Sequence, residues 1–485
     1  MLSAYQWIVR NIPDENRHLP EALYWLAMEN AKGEAGKTPE GKRKTAEALW
    51  SDLVASSFDN DPKVFKKSLR PWVGTEGAAK YVKSAMLRSG QLFGEVNDHE
   101  RAARAFSAYL GLYPDEARKQ RPRNAPVEFR DEKDSIARYA LGREYAALGN
   151  TEKLVETYSP YLNGFRDDRF RVSALKVLGF HAGKGSVKER AVDAYATLLD
   201  EYGPVELDAK TGAPVPLPRN QWLRQNTGGW DGIRETPPPD LDLGEIRYAL
   251  GFLYWKNEEW GPCAQTLAPF AADRSLAKNK SRDKALFMAA QSCYKLADFA
   301  GGVKMLQALV RDYPRFDAIE EAYVKLAAGL VETKEWKDFE LVGRTFLNEW
   351  PRSDRRPRMD LYGAVANAAQ GRRDVAMTTF NGLISGDTFA DVKADAAYYA
   401  GMVSLETGVG EPLKALAFFE KSVGAFPTDR ACLEAARAYQ KAGRPDAARA
   451  MAERIGRDFP RGNPRVINEA RALLPGILKD LANKK

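Results

Sequence analysis

The sequence is short of most of the residue types from which reaction chemistry is built. It has 3 histidines and 3 cysteines in 485 residues. His18, His99 and His181 are scattered, and none stands at metal-ligand spacing from a cysteine or a carboxylate, so no metal is expected. Cys263, Cys293 and Cys432 show no CxxC spacing and are too few for a disulfide framework. Cys263 and Cys293 fall in neighbouring predicted hairpins, which leaves both buried thiols and a mutual disulfide open. The chain has no GxSxG, no GxxxxGK[ST], no HExxH and no EF-hand loop, so no catalytic residues and no cofactor are expected. No apolar run approaches the ~20 residues needed to span a bilayer. No basic segment leads into an apolar one at the start, so MLSAYQWIVRNIP is not a signal peptide. It reads instead as the second helix of a repeat, as though an array were entered part-way, with any signal or anchor outside it.

Charge of one sign is also scarce. The net charge is +7, and the charged residues, 29% of the chain, are interspersed rather than blocked. That is the pattern of solvated helix faces rather than of a nucleic-acid surface. Hydrophobic residues at 44% are ordinary for a folded soluble chain. A chain this long exceeds a single compact core, unless it grows in one dimension as a repeat array.

Repeats are what the sequence does have. From Glu245 to Pro351 a helical apolar pattern, a short turn and a second helical pattern recur three times. The diagnostic lattice is Leu-Gly, an aromatic three residues after the Gly, then Ala, a large apolar residue and Pro. Two antiparallel helices approach closely only where the crossing carries Gly or Ala, and Pro ends the second helix. His18–Asn60 gives a first hairpin with Ala46, Trp50 and Leu53 on one face. Asp61–Val73 is a connector with one short helix. The second hairpin carries Gly90, Phe93, Ala102, Phe106, Tyr109 and Pro114. A basic loop, Asp115–Lys133, follows. The third hairpin has Leu141-Gly142, Tyr145, Gly149 and Tyr158, and the fourth Leu178-Gly179, Ala191, Tyr195 and Leu198.

A Pro/Gly-rich stretch with two tryptophans, Gly203–Gly244, then breaks the array, either as a functional insertion or as a link. Within it DLDLG at Asp240–Gly244 reads as a helix cap and QNTGGWDG as a turn. The period resumes at Gly251, Gln291, Ala327, Ala364, Gly401 and Ala436, in steps of 40, 36, 37, 37 and 35 residues. Arg465–Lys484 closes the array as an amphipathic cap.

On these residues the chain resembles tetratricopeptide-repeat (TPR) proteins over nearly its whole length. Units ending in Tyr/Phe/Trp-Pro, such as LVRDYP, FLNEWP and IGRDFP, are similar to bacterial periplasmic and envelope repeat scaffolds. The resemblance implies an all-α, right-handed superhelical solenoid of about ten hairpins with a C-terminal capping helix. Its divisions would be an N-terminal array over 1–202, the insertion over 203–244, a second array over 245–460 and a cap over 461–485. It implies a non-enzymatic scaffold in a larger bacterial assembly, periplasmic or envelope-associated, with a cytoplasmic setting as the alternative. Two other classes remain beside it: the helical non-catalytic part of an envelope enzyme of the lytic-transglycosylase kind, and a nucleic-acid-binding superhelix.

In this architecture the first helices of successive hairpins line the inner surface. The register places Tyr139 and Arg143 there, then Tyr248, Phe252 and Trp255, then Met288 and Ser292, Tyr362, and Tyr398, Tyr399 and Met402. Aromatic residues at helical spacing also serve as core. As a set they suggest a groove for a helix or extended segment of another protein. Trp222 and Trp230 of the insertion are a second candidate contact. The partner is expected to be protein. A small-molecule substrate is not expected, nucleic acid is disfavoured, and membrane association would come only through a partner or an anchor outside the chain.

Overall fold

A computed structural model describes residues 2–11, 18–59, 62–113, 132–164, 169–185, 187–203, 237–406, 412–460 and 462–483. Among them the regular structure is helical, with a single antiparallel bridge between Ala55 and Leu69. Pro114, most of the basic loop Asp115–Lys133, and Trp222 and Trp230 lie outside the described residues. The chain divides into two compact units, Met1–Pro262 and Cys263–Lys485. The division falls inside the helix Trp260–Leu267.

In the first unit the paired helices are Leu19–Asn30 with Pro39–Leu53, Glu76–Glu95 with His99–Leu112, Glu132–Ala147 with Thr151–Gly164, and Arg171–Ala182 with Lys188–Tyr202. Leu2–Asn11 packs on Leu19–Asn30, and the short connector helix is Pro62–Ser68. Lys188–Tyr202 packs directly on Leu243–Lys256, so the stack continues across the inserted stretch. In the second unit the pairs are Arg282–Lys295 with Phe299–Asp312, Ile319–Glu332 with Trp336–Glu349, Arg356–Ala369 with Arg373–Ser385, Ala390–Glu406 with Pro412–Ala425, and Asp429–Lys441 with Pro445–Asp458. Pro464–Asn483 lies over the last pair, burying Val466, Ala470 and Ile477. This is the capping role the sequence suggests.

One contact recurs at the crossings. A methyl group on Gly142 would lie 1.9 Å from Tyr158 Cε1, one on Gly179 2.5 Å from Tyr195 Cε1, and one on Gly90 2.8 Å from Phe106 Cζ. In the second unit Gly401 stands in the same relation to Phe419, at 2.6 Å. Each ring comes from the second helix and is buried against bare backbone of the first. The hydroxyl of Tyr158 also donates to the Tyr139 carbonyl at 2.8 Å. The hairpin Arg282–Asp312 departs from the expected register. Gln291 is only half-buried there, and the ring and the glycine change places. Tyr294 of the first helix lies on Gly302 of the second, its hydroxyl reaches Gly329 in the next hairpin, and it donates to the Lys325 carbonyl at 2.9 Å.

The turns are equally uniform. Asn97, Gly149, Glu258, Ala297, Lys334, Gly371 and Gly443 all sit in the left-handed region, φ 59–81°, two residues past the end of a helix. In each case the next amide donates to the carbonyl five residues back, from Asp98 to Phe93 through to Arg444 to Tyr439. This is the Schellman closure, and it satisfies carbonyls that the helix end would leave unpaired.

Two arginines are placed against their helix dipoles for a reason. Arg171 and Arg282 begin first helices, where a cation is electrostatically disfavoured, yet both are buried. Arg171 bridges Glu201 at 2.6 Å and also donates to the Leu162 carbonyl. Arg282 bridges Asp312 at 2.8 Å and donates to the Phe270 carbonyl. Each arginine ties the end of its own hairpin to the segment that precedes it. The three cysteines are free buried thiols, and burial pushes both Cys263 and Cys293 up to about 11.

Gly142→Leu should destabilise the chain by about 1–3 kcal/mol through overpacking. Gly343→Ala, at a helical glycine with no atom near its missing methyl group, should be neutral or gain about 0.5–1 kcal/mol. Urea titration of both variants checks the pair, and equal midpoints would refute the crossing geometry.

Arg311 and Arg282 hold the Asp312 carboxyl down to about 2. A depressed folded value adds stability above the unfolded carboxylate range, near 4, and loses it as pH falls toward 2. The stability gap between the parent and Asp312→Asn should therefore be full at neutral pH and close over that acid window. Denaturant midpoints measured from neutral pH to pH 2 read it directly.

Candidate partner-binding surface

In the first unit the residues expected on the inner surface fall on helices Glu132–Ala147 and Leu243–Lys256. Tyr139 is half-buried and tightly held: its ring stacks on Phe170 at 4.7 Å and lies parallel to Tyr158 at 6.4 Å. Arg143 is exposed. Tyr248, Phe252 and Trp255 form a ladder along one helix, with centroids 6.4 and 6.3 Å apart and interplanar angles of 29° and 21°. Phe252 is 40% exposed, while Leu250, Gly251, Leu253 and Tyr254 around it are buried. The N-terminus of this helix is capped by Asp242, whose Oδ1 accepts from the Glu245 amide at 3.0 Å. DLDLG is a cap, as its sequence suggests.

The structure adds a residue that the sequence reading passed over. Phe180 is 52% exposed and follows Gly179 as Phe252 follows Gly251. The signal was present in the sequence, because Leu-Gly-Phe occurs at both 178–180 and 250–252. Lys184 Nζ lies 3.8 Å from the Phe180 ring centroid, and the His181 ring meets Phe180 edge-on. Burial and the Lys184 charge lower the His181 pKa.

In the second unit the expectation divides. Met288 is 8% exposed and Ser292 is fully buried, with its hydroxyl bonded to the Met288 carbonyl. Neither presents an open surface, because this helix packs both sides of its hairpin crossing. Tyr362, Tyr398, Tyr399 and Met402 are half-buried. Tyr399 stacks on Phe380, Tyr398 packs on Phe419, and the two tyrosines meet edge-on at 5.3 Å. Burial raises the pKa of Tyr362, Tyr398 and Tyr399. Arg358 reaches forward one repeat to Asp391 and to Asp395 at 2.5 Å, and Glu332 and Arg430 stand around the same phenols. These rings are rooted in the core.

Sequence reading also missed a cavity of about 730 Å³ on the first unit. Trp50, Phe58 and Phe65 line one side, with Arg104, Tyr145 and Lys153 among the rest. Its residues come mostly from the connector, the second helices Pro39–Leu53 and His99–Leu112 and the turn of the third hairpin, which a register built on first helices does not follow.

The hairpins at 84–116 and 284–315 match the family model described as tetratricopeptide repeat. The chain thus carries the tetratricopeptide repeat in two hairpins. Its fold is the TPR-type helical repeat typical of protein-interaction scaffolds. No curated protein matches the sequence at a meaningful level. Among solved structures, the Naa15/Naa10 complex bound to HypK-THB matches at 13% identity over 99% of this chain and 67% of that one, with a TM-score of 0.35. Yeast Tom70 matches at 13% identity over 90% and 96%, with a TM-score of 0.32. The Cut9–Hcn1 hetero-tetramer of the APC/C matches at 10% identity over 97% and 92%, with a TM-score of 0.34. Nothing in a likeness of this size bears on a binding site or a partner.

Phe252→Ala should leave the thermal melt within about 0.5 kcal/mol of the parent, as surface changes do. Tyr254→Ala, two residues on and fully buried, should cost about 3–5 kcal/mol, in the range of other buried aromatics. Circular dichroism melts of the two variants separate an open ladder from a core one.

Proposed function

We propose that this chain is a non-enzymatic scaffold that holds a segment of another protein against the first helices of its TPR hairpins, within a bacterial envelope assembly. The observation that carries the reading is the aromatic ladder Tyr248–Phe252–Trp255, with Phe252 open to solvent while Ile246, Leu250, Leu253 and Tyr254 of the same helix are buried. Repeat arrays offer extended surfaces of this kind, and exposed aromatic clusters are favoured contacts. The envelope setting is supported by the Tyr/Phe/Trp-Pro cadence of the repeat ends.

The test is affinity purification from bacterial envelope and soluble fractions with the parent chain and with Tyr248→Ala/Phe252→Ala, followed by mass spectrometry. The reading expects proteins enriched from the envelope fraction by the parent and lost from the folded variant. Equal capture by both chains would refute the ladder as the contact. Capture confined to the soluble fraction would refute the setting.

A further inference from the structure

We propose that the open strip of the first unit takes an acidic segment bearing large apolar side chains; this rests on the scaffold reading and names the chemistry of its partner. The strip has two components. Its apolar part is Phe180, 52% exposed, and Phe252, 40% exposed, with Trp255 stacked beside the latter. On the ladder helix the exposed Glu245 and Lys256 stand about one turn from Tyr248 and from Phe252. The charges beside Phe180 and after the third-hairpin glycine are cationic: Arg143, which follows its repeat glycine as the two phenylalanines follow theirs, and Lys176 and Lys184 flanking Phe180. Among the described residues none of these three cations is paired with a carboxylate. Helix Arg171–Ala182 contains no acidic residue at all.

Lys184 is held 3.8 Å from the Phe180 ring centroid with its charge otherwise uncompensated. A carboxylate arriving beside an apolar side chain would meet that ammonium where the ring already excludes water, and charge-assisted contacts gain strength there. The apolar side chain would cover Phe180 and Phe252, whose exposure is otherwise unfavourable. A neutral segment would leave the lysines unanswered, and a basic one would be repelled. A single nucleic-acid strand fits less well. It needs cations tracking a phosphate at every nucleotide and free ring faces for its bases. Here the cations are few, and the rings of the ladder already stack on one another.

The experiment selects a displayed library of random segments of about a dozen residues on the full chain. The most enriched peptides are then titrated by fluorescence polarisation at low and high salt. The inference expects Asp and Glu enriched together with Phe, Leu, Met or Trp. It expects affinity to fall about tenfold in Lys184→Glu, less in Lys184→Gln, and steeply with salt, and Phe252→Ala to weaken the same peptides. Peptides that need Phe252 yet are neutral or basic and ignore Lys184→Glu would overturn the acidic assignment while leaving the scaffold reading intact. A library from which nothing sensitive to Phe252→Ala is recovered would overturn both. Binding of an oligo-dT of the same length that competes with the peptides and is lost in Lys184→Glu would overturn the inference in favour of nucleic acid.

Discussion

The architecture depends on one steric fact: an aromatic ring of one helix needs a neighbour without a side chain. Tyr158 on Gly142, Tyr195 on Gly179, Phe106 on Gly90 and Phe419 on Gly401 are the same solution used four times. The ring fills the space beside the crossing, and the glycine lets the backbones close to the distance at which the remaining side chains interdigitate. Tyr294 shows that the requirement is for the pair and not for a direction. It comes from the first helix and uses glycines at 302 and 329, so one ring fixes two consecutive crossings. Its hydroxyl bond to Lys325 then satisfies the only polar atom the ring brings inside.

A crossing alone would leave the helices free to slide. The Schellman turns remove that freedom, because each closes two residues past a helix end and the second helix then begins two residues later. The geometry is held firmly enough that Ala297, Glu258 and Lys334 accept a left-handed backbone, at a cost of about 1–2 kcal/mol each. Gly149, Gly371 and Gly443 occupy the same position without it. Arg171 and Arg282 do for the next level what the turns do for the hairpin. In both cases a guanidinium at the start of a hairpin meets a carboxylate 30 residues on and a carbonyl of the preceding segment. Packing therefore sets distance within a hairpin, and hydrogen bonding sets register between neighbours.

Much of this could be read from the residues in order. The all-α hairpin fold, the Leu-Gly crossings, the connector helix, the terminal cap and the capping role of Asp242 all rest on local patterns of spacing and residue type. What escaped has a physical reason in each case. The reversal at Tyr294 was hidden because a search for a small residue on the first helix finds Gln291 and stops, while the glycines that matter lie on the partners. Met288 and Ser292 were placed outside because one stripe was assumed per helix. Helix Arg282–Lys295 buries more than that stripe, taking in Ala285, Met288, Ala289, Ser292 and Cys293. The paired arginines could have been noticed, since a cation at the first residue of a helix opposes the dipole and calls for a partner.

The surface residues are the sharper problem, because a single exposed phenylalanine on a soluble protein means little. Phe180 and Phe252 differ from that case in their register. Each follows a glycine that must be buried, so a turn of about 100° carries it off the crossing, and its own hairpin makes no demand on its size. Arg143 occupies the same place in the third hairpin and the crossing there is unaffected. Packing within the hairpin therefore accounts for the glycine and is indifferent to its neighbour. Full burial of a phenylalanine ring is worth about 1.5–3 kcal/mol, and rings 52% and 40% exposed forgo part of it. When that happens twice in one register, with a stacked Trp255 on one side and an unpaired lysine over the other ring, packing within the hairpin supplies no reason for it, and the proposed partner segment would.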